Sequence, residues 1–383
     1  MIPYGRQDIR PEDIEAVTEV LKSDFLTQGP AVPAFEAAIC EAVSARHAVA
    51  VSSATAALHI ACLALDLGPG DWLWTSPITF VASANVGIYC GAKVDFVDID
   101  PETFNMSPDA LEAKLRDAEA AGRLPKVIMP VHMAGQPCDM EKIGALARRY
   151  GIRVIEDASH GIGGRDGATP TGACAHSDIA VFSFHPVKII TTGEGGAATT
   201  NDPALAERMA LLRSHGITRD PGRMTRPSEG GWYYEQLELG FNYRMTDIQA
   251  ALGRSQMRHL GERIDRRHER AAVYDAAFDG WPLKRPWQRP DARSAYHLYI
   301  VRLDDGFDRG QVFAALREAG IGVNVHYIPV HLQPFWRQFG FGPGDFPSAE
   351  AYYAAAITLP LHATLSEADQ SQVISAVGAA LGR

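Results

Sequence analysis

The 383 residues contain no hydrophobic run long enough to span a bilayer. The start, Met1-Ile-Pro-Tyr-Gly-Arg-Gln-Asp8, has neither the charged region nor the apolar core of a secretion signal, so a cytoplasmic protein with no membrane partner is expected. Cysteine is scarce. Five residues (Cys40, Cys62, Cys90, Cys138 and Cys174) form no Cys-x-x-Cys pair, and their odd number argues against a disulfide framework or a zinc site and for buried thiols in a reducing compartment. Positive charge is also in deficit. The formal net charge of -10 excludes the basic faces that bind nucleic acid or anionic membranes, so any anion has to be bound locally. Internal repeats and low-complexity runs are missing. No Gly-Lys-Ser or Gly-Lys-Thr follows the glycines of Gly193-Glu-Gly-Gly196, which argues against a nucleoside triphosphate loop there.

What is present is an alternation. With 46% hydrophobic residues the chain can bury a large core, and its length leaves room for two domains. Apolar, strand-forming runs at 48–53, 72–76, 93–99, 126–132, 153–157 and 179–184 alternate with helices that begin near Thr55, Ser107-Pro108, Asp139 and Asp202-Pro203. This pattern predicts an α/β unit over residues 1–250, built on a mainly parallel sheet flanked by helices. Thr246 and Gln249 make a capping-box pattern that opens one long helix to about Asp275. That helix leads into a smaller α+β unit, residues 251–383, with strands at 297–303 and 323–327 and helices at 308–319 and beyond Ser366.

The most informative stretch is Ser183-Phe-His-Pro-Val-Lys188, running on into Thr191-Thr-Gly-Glu-Gly-Gly196. It reads as strand, constrained turn, strand: Pro186 fixes the backbone just before Lys188, and the glycines permit close backbone approach. A lysine presented in this way beside His185 and Ser183 reads as a Schiff-base lysine, because a desolvated amine loses proton affinity and becomes a nucleophile toward carbonyls. Such a lysine implies a carbonyl cofactor, and pyridoxal 5'-phosphate needs a carboxylate to keep its ring nitrogen protonated. Asp157 is the candidate. It closes the apolar strand from Ile152 at the edge where active-site residues of parallel sheets gather, although taken alone it reads equally as a helix cap. Ser52-Ser53-Ala54-Thr55, at a helix start, offers amides and hydroxyls to a phosphate; simple capping by Ser53 or Thr55 would look the same.

With Ser52-Ser53-Ala54-Thr55, Thr79-Phe80, Asp157-Ala-Ser-His160, Ser183 to Lys188 and Gly240-Phe-Asn-Tyr-Arg244 in this order, the sequence resembles the nucleotide-sugar aminotransferases of the DegT family over essentially its whole length. The resemblance implies a fold-type I aminotransferase that uses pyridoxal 5'-phosphate. It assigns the cofactor bond and the proton shuttle to Lys188, the ring nitrogen to Asp157 and the ring face to Phe80. It places His160, where many relatives have Gln, near the ring's phenolic oxygen. The phosphate falls to Ser183, Ala54 (usually Gly in relatives) and Thr55. Asn242 would reach the phosphate of a neighbouring subunit, which implies a homodimer with shared active sites. Taken alone, Phe80 reads as core packing, Asn242 as a left-handed turn residue and His160 equally as a structural hydrogen-bonding group.

Tyr4, Arg6, Thr27, Gln28, His185, His215, Arg219, His326 and His331 match positions near the sugar nucleotide in such enzymes, and each taken singly is a polar surface residue. Ile2-Pro-Tyr-Gly-Arg-Gln7, Leu26-Thr-Gln-Gly-Pro30 and Val325-His-Tyr-Ile-Pro-Val-His-Leu-Gln-Pro334 are similar in particular to family members on the pseudaminic acid route. The reaction this implies moves the amino group of L-glutamate to carbon 4 of a UDP-linked 2-acetamido-2,6-dideoxy-4-keto-hexose. A GDP- or dTDP-linked 4-keto sugar is the alternative. Sugar dehydratases of the family carry His where this chain has Lys188, and a non-catalytic sensor would have no need of Lys188 with Asp157.

Overall fold

A computed structural model describes residues 1–383. Its central sheet has seven strands: β1 (His47–Val51), β2 (Trp72–Thr75), β3 (Lys93–Phe96), β4 (Val127–Met129), β5 (Arg153–Asp157), β6 (Ile179–Ser183) and β7 (Gly196–Thr200). Their order is β1-β7-β6-β5-β4-β2-β3. Neighbours run parallel except at β7, which is antiparallel to both β1 and β6. Every residue of β6 and β7 is buried, because helices cover both faces of the sheet. Helix Ala54–Ala64 is apolar almost all round, as its position between the sheet and helices Ala82–Tyr89 and Pro203–Arg213 requires. The fold is therefore the α/β arrangement that the alternating pattern predicts.

Capping fixes where the helices begin. Ser53, Ser107, Asp139, Asp202 and Ser366 each accept a hydrogen bond from an amide in the first turn of the helix that follows. Thr246 and Gln249 form the reciprocal capping box. The single long helix expected beyond them is, however, two helices, Asp247–Met257 and Leu260–Ala277. The break falls where His259 leaves helical geometry (φ -109°, ψ 12°) and its ring lies between Glu12, 2.8 Å away, and Glu262, at 3.6 Å.

The C-terminal part carries a three-stranded antiparallel sheet, Leu283–Lys284, Tyr299–Leu303 and Ala356–Leu359, backed by helices Arg309–Glu318 and Glu367–Ala380. The strand expected at 323–327 does not form. Ile321–Gly322 alone is extended and pairs in parallel with Ile2–Pro3. The first residues, grouped above with the large unit, are thus stitched to the C-terminal one, and Ile2 is buried in its core with Tyr299 and Leu359. Gly322 makes this possible, since a Cβ there would meet the Ile2 carbonyl oxygen at 2.7 Å. Residues 324–327 are left free of a ladder apart from one bridge, Asn324 to Thr358, and they face the main sheet.

Arg267 holds segments of the C-terminal part together. Fully buried, its Nη1 donates to the carbonyl oxygens of Tyr296 and His297 at 3.1 Å and of Leu361 at 2.9 Å. No carboxylate accompanies it, and burial pulls its pKa down to about 10.

Candidate active site

The carboxyl ends of β5 and β6 and the start of helix Ala54–Ala64 open onto a cavity of about 510 Å³, closed on the far side by Tyr4 and residues 324–327. Parallel sheets place their functional groups at this edge, because the loops that leave it are the ones free to vary.

Lys188 enters the cavity from a stapled turn. The Phe184 amide donates to Gly195 O at 2.9 Å, the Thr192 amide donates to Phe184 O at 3.0 Å, and the Lys188 amide donates to His185 O at 2.9 Å. No protein group hydrogen-bonds the ammonium. It keeps some contact with solvent but sits at the floor of a concave site, and burial lowers its pKa to about 8 against the opposing pull of the Asp157 charge.

Asp157 lies opposite and is 5% exposed. It caps no helix. Its Oδ2 accepts from Ser83 Oγ at 2.6 Å and its Oδ1 from the Ser159 amide at 3.1 Å, so both oxygens are held in place. Ser83 is itself braced by Thr79 Oγ1 at 2.7 Å.

Between them the structure offers a cradle for an anion. Ser53 Oγ accepts from the Ala56 amide at 3.1 Å and is the cap, which leaves the Ala54 and Thr55 amides, at the positive end of the helix, with no protein acceptor. Gly196 lets β7 approach this turn: a Cβ there would lie 2.5 Å from Ala54 N and 2.6 Å from the Ser53 carbonyl carbon. The Ser183 hydroxyl, which no protein group engages, faces the same space. A partnerless amine, an oriented carboxylate and free helix-start amides are the donor set that pyridoxal 5'-phosphate needs, so the residues fit that group.

Three buried imidazoles surround the amine. Burial holds His160 well below the usual histidine range, with Lys188 and His326 adding to it, and holds His297 there as well, with His160 and Lys188 adding to it; His326 is pushed down to about 3 by burial and by Lys188. All three are neutral rings. His326 Nδ1 lies 2.8 Å from Thr358 Oγ1, and His160 Nε2 lies 3.1 Å from the Tyr327 hydroxyl.

Of the residues singled out in the sequence, Tyr4, Ala54, Thr55 and Phe80 line this cavity, as do Asp157 and His160. Ser183, His185, Lys188 and His326 complete the set. Phe80 is 60% exposed, so it is not core packing. Arg6, Thr27, Gln28, His215, Arg219 and Asn242 are exposed and lie outside the cavity. Gln28 and His215 have left-handed backbones (φ 57° and 64°), whereas Asn242 does not, which removes its reading as a left-handed turn residue. His331 is a correction. It is wholly buried, its Nε2 is 3.0 Å from Glu350 Oε1 and its ring packs against Phe346, so it braces the C-terminal part and does not face the cavity. Tyr327, Asn324, Ser83 and Glu194 line the cavity and were missed. For Ser83 a signal existed: Thr79 and Ser83 are one helical turn apart in an otherwise apolar segment.

Two outcomes follow from this geometry. Gly196→Ala should weaken pyridoxal 5'-phosphate binding by about tenfold, the equivalent of one or two lost hydrogen bonds at the displaced helix start. Absorbance titration of the apoprotein measures this, and wild-type affinity would mean that the cradle is not where the anion sits. Because only the neutral amine attacks a carbonyl, the rate of covalent capture of the cofactor should rise through pH about 8, and not through the ordinary lysine range, with Lys188 protonated below and free above. A capture rate still climbing well above that pH would show that burial does not tune Lys188.

Comparison with known proteins follows the same lines. Residues 7–378 match the model of the DegT/DnrJ/EryC1/StrS aminotransferase family. The chain is 41% identical over 382 residues to the spore coat polysaccharide biosynthesis protein SpsC of Bacillus subtilis, covering 98% of this chain and 96% of that one. It is 37% identical over 373 residues to the UDP-4-amino-4,6-dideoxy-N-acetyl-beta-L-altrosamine transaminase of Campylobacter jejuni, covering 96% and 94%. Among solved structures, the PLP form of the Streptococcus pneumoniae protein Spr1654 superposes with a TM-score of 0.90 at 30% identity, over 100% of this chain and 98% of that one. The fold is that of fold-type I enzymes and the cofactor is pyridoxal 5'-phosphate. The chain belongs to the DegT/DnrJ/EryC1/StrS family and is a sugar aminotransferase.

Proposed function

We propose that this aminotransferase moves the amino group of L-glutamate to carbon 4 of a UDP-linked 2-acetamido-2,6-dideoxy-4-keto-hexose, in the cytoplasm, on a route of the pseudaminic acid type. The observation that carries the reading is the meeting, in one cavity, of the partnerless Lys188 amine, Asp157 and the segment 324–327. The similarity to the Campylobacter jejuni transaminase supports the choice of sugar.

When bound, pyridoxal 5'-phosphate supplies a carbonyl that takes up an amine and an electron-poor ring that accepts charge from the adjacent carbon. Asp157, fixed by Ser83 and Ser159, holds the proton on the ring nitrogen. Neutral Lys188 Nζ removes the proton from the α-carbon of L-glutamate, and the charged form returns one on the cofactor side; with the keto sugar the order reverses. A lysine pKa of about 8 leaves both forms populated near neutrality, so one group serves as base and acid. Ala54, Thr55 and Ser183 hold the phosphate, and Phe80 packs on the ring face.

The exposed positions belong to the same reading. Asn242, His215, Arg219, Thr27 and Gln28 lie outside their own cavity while large apolar side chains stand uncovered nearby in sequence, Phe25 at 53%, Trp232 at 73% and Leu239 at 79% exposure. A homodimer would cover such surface and bring those polar groups to the partner's cavity. Mixing two inactive variants, Lys188→Ala and an Asn242 substitution, should then restore activity, since a hybrid dimer keeps one site of wild-type composition. Silence after verified subunit exchange would place Asn242 in its own chain's surface.

The substrate is tested with a panel of 4-keto nucleotide sugars and L-glutamate, following 2-oxoglutarate. A site built to hydrogen-bond one arrangement of hydroxyls rejects another at roughly 1–3 kcal/mol for each unpaired group, so clear preference for the UDP-linked β-L-arabino epimer is expected. A preference for a GDP-linked 4-keto-6-deoxymannose would overturn the sugar assignment and leave the Lys188 chemistry standing.

A further inference from the structure

The tautomer of His160 has a consequence for its neighbour. His160 is 5% exposed, and its ring packs 4.4 Å from that of His297. Its Nδ1 is buried with no hydrogen-bond partner, and its Nε2 lies 3.1 Å from the hydroxyl of Tyr327. A neutral imidazole has one N–H and one lone pair. Were the hydrogen on Nδ1, a buried N–H would stay unpaired at a cost of about 1–3 kcal/mol, and orphaned buried donors of this kind are rare. With the hydrogen on Nε2, His160 donates to the Tyr327 oxygen, and only an acceptor lone pair is left over. The phenol's own hydrogen is then free. Tyr327 lines the cavity, no other protein group hydrogen-bonds its hydroxyl, and burial raises its pKa, with Tyr4, Asp157 and Tyr352 facing it, so it remains a donor throughout the physiological range.

We propose that Tyr327 is a catalytic residue of this aminotransferase: its hydroxyl, oriented by the Nε2–H of His160, donates a hydrogen bond to an acceptor oxygen of the substrate in the cavity. His160 is then a positioning residue that acts through Tyr327 and not a direct partner of the cofactor's phenolic oxygen. The acceptor belongs either to the carboxylate of the amino donor or to the keto sugar, and the two half-reactions distinguish them. The inference rests on the aminotransferase reading alone and not on the identity of the sugar.

The test follows cofactor absorbance in the holoenzyme on adding L-glutamate and then, in the aminated form, the keto sugar that the wild type accepts. Tyr327→Phe should slow one half-reaction by about 10–100-fold in kcat/KM, the worth of one buried hydrogen bond, while pyridoxal 5'-phosphate affinity changes less than about threefold. His160→Leu should give a similar loss, and the double variant should be no worse than the poorer single one, because the two side chains act as a unit. His160→Gln should recover most of what His160→Leu loses, since an amide N–H donates where the imidazole did. Multiplicative losses in the double variant, failure of Gln to rescue, a loss confined to cofactor affinity, or unchanged half-reactions in Tyr327→Phe would each overturn the proposal. A wild-type protein whose spectrum responds to no amino donor would instead overturn the reading of the site itself.

Discussion

Holding the Lys188 amine in a protein cavity without a hydrogen-bond partner is the constraint on which the rest of the site depends. A lysine left to itself points into water. Here it cannot, because β6 and β7 are joined by a turn whose ends are bonded to each other, Phe184 to Gly195 and Thr192 to Phe184, with Lys188 bonded back to His185. β7 is the one strand that runs against its neighbours, and this reversal lets so short a connection replace a helical crossover. The lysine is therefore delivered to the carboxyl end of the sheet by backbone geometry, and burial then lowers its proton affinity.

Around one amine of this kind, further charge would be costly. The structure surrounds it with Asp157 as the single near carboxylate and with rings that are kept neutral, His160, His297 and His326. Arg267, a buried guanidinium, gives its Nη1 donor to three carbonyl groups, one of them that of His297, and so fixes the backbone that carries the ring while helping to hold it uncharged. Packing and electrostatics share the same residue: the guanidinium that holds segments of the C-terminal part together also adds to the burial that keeps the His297 ring neutral.

How much of this was legible follows from what short-range pattern can encode. Strand order aside, the α/β sheet and most helix starts were readable, because caps such as Ser53 and Asp202 and runs such as 179–184 are local signals. The break at His259 was not, since the His259 ring meets Glu12, far off in sequence, and neither Arg258 nor His259 is a helix-breaking residue type. Nor was the pairing of Ile2–Pro3 with Ile321–Gly322, which only long-range packing decides. In the cavity, Lys188 and Asp157 announced themselves by standing at successive strand ends. Tyr327 and Asn324 did not, because their importance comes from a strand that fails to form, leaving residues 324–327 to face the sheet. His331 misled for the same reason: it lies in the same polar and aromatic stretch, but its turn points it at Glu350.

Net charge sets the last requirement. A nucleotide diphosphate sugar of the proposed kind is strongly anionic, and a chain with a net charge of -10 does not attract it over long distances. Beyond about 8 Å, salt screens that repulsion at physiological ionic strength, so recognition has to be local. The walls of the cavity in a single chain carry no arginine, and their only lysine is Lys188, which the proposed chemistry commits to the cofactor. The helix-start amides of Ala54 and Thr55 can answer one phosphate, that of the cofactor. In the proposed homodimer a second anionic group therefore needs donors from beyond these walls, and Arg6 and Arg219, both exposed and held in no ion pair, are the candidates to meet it.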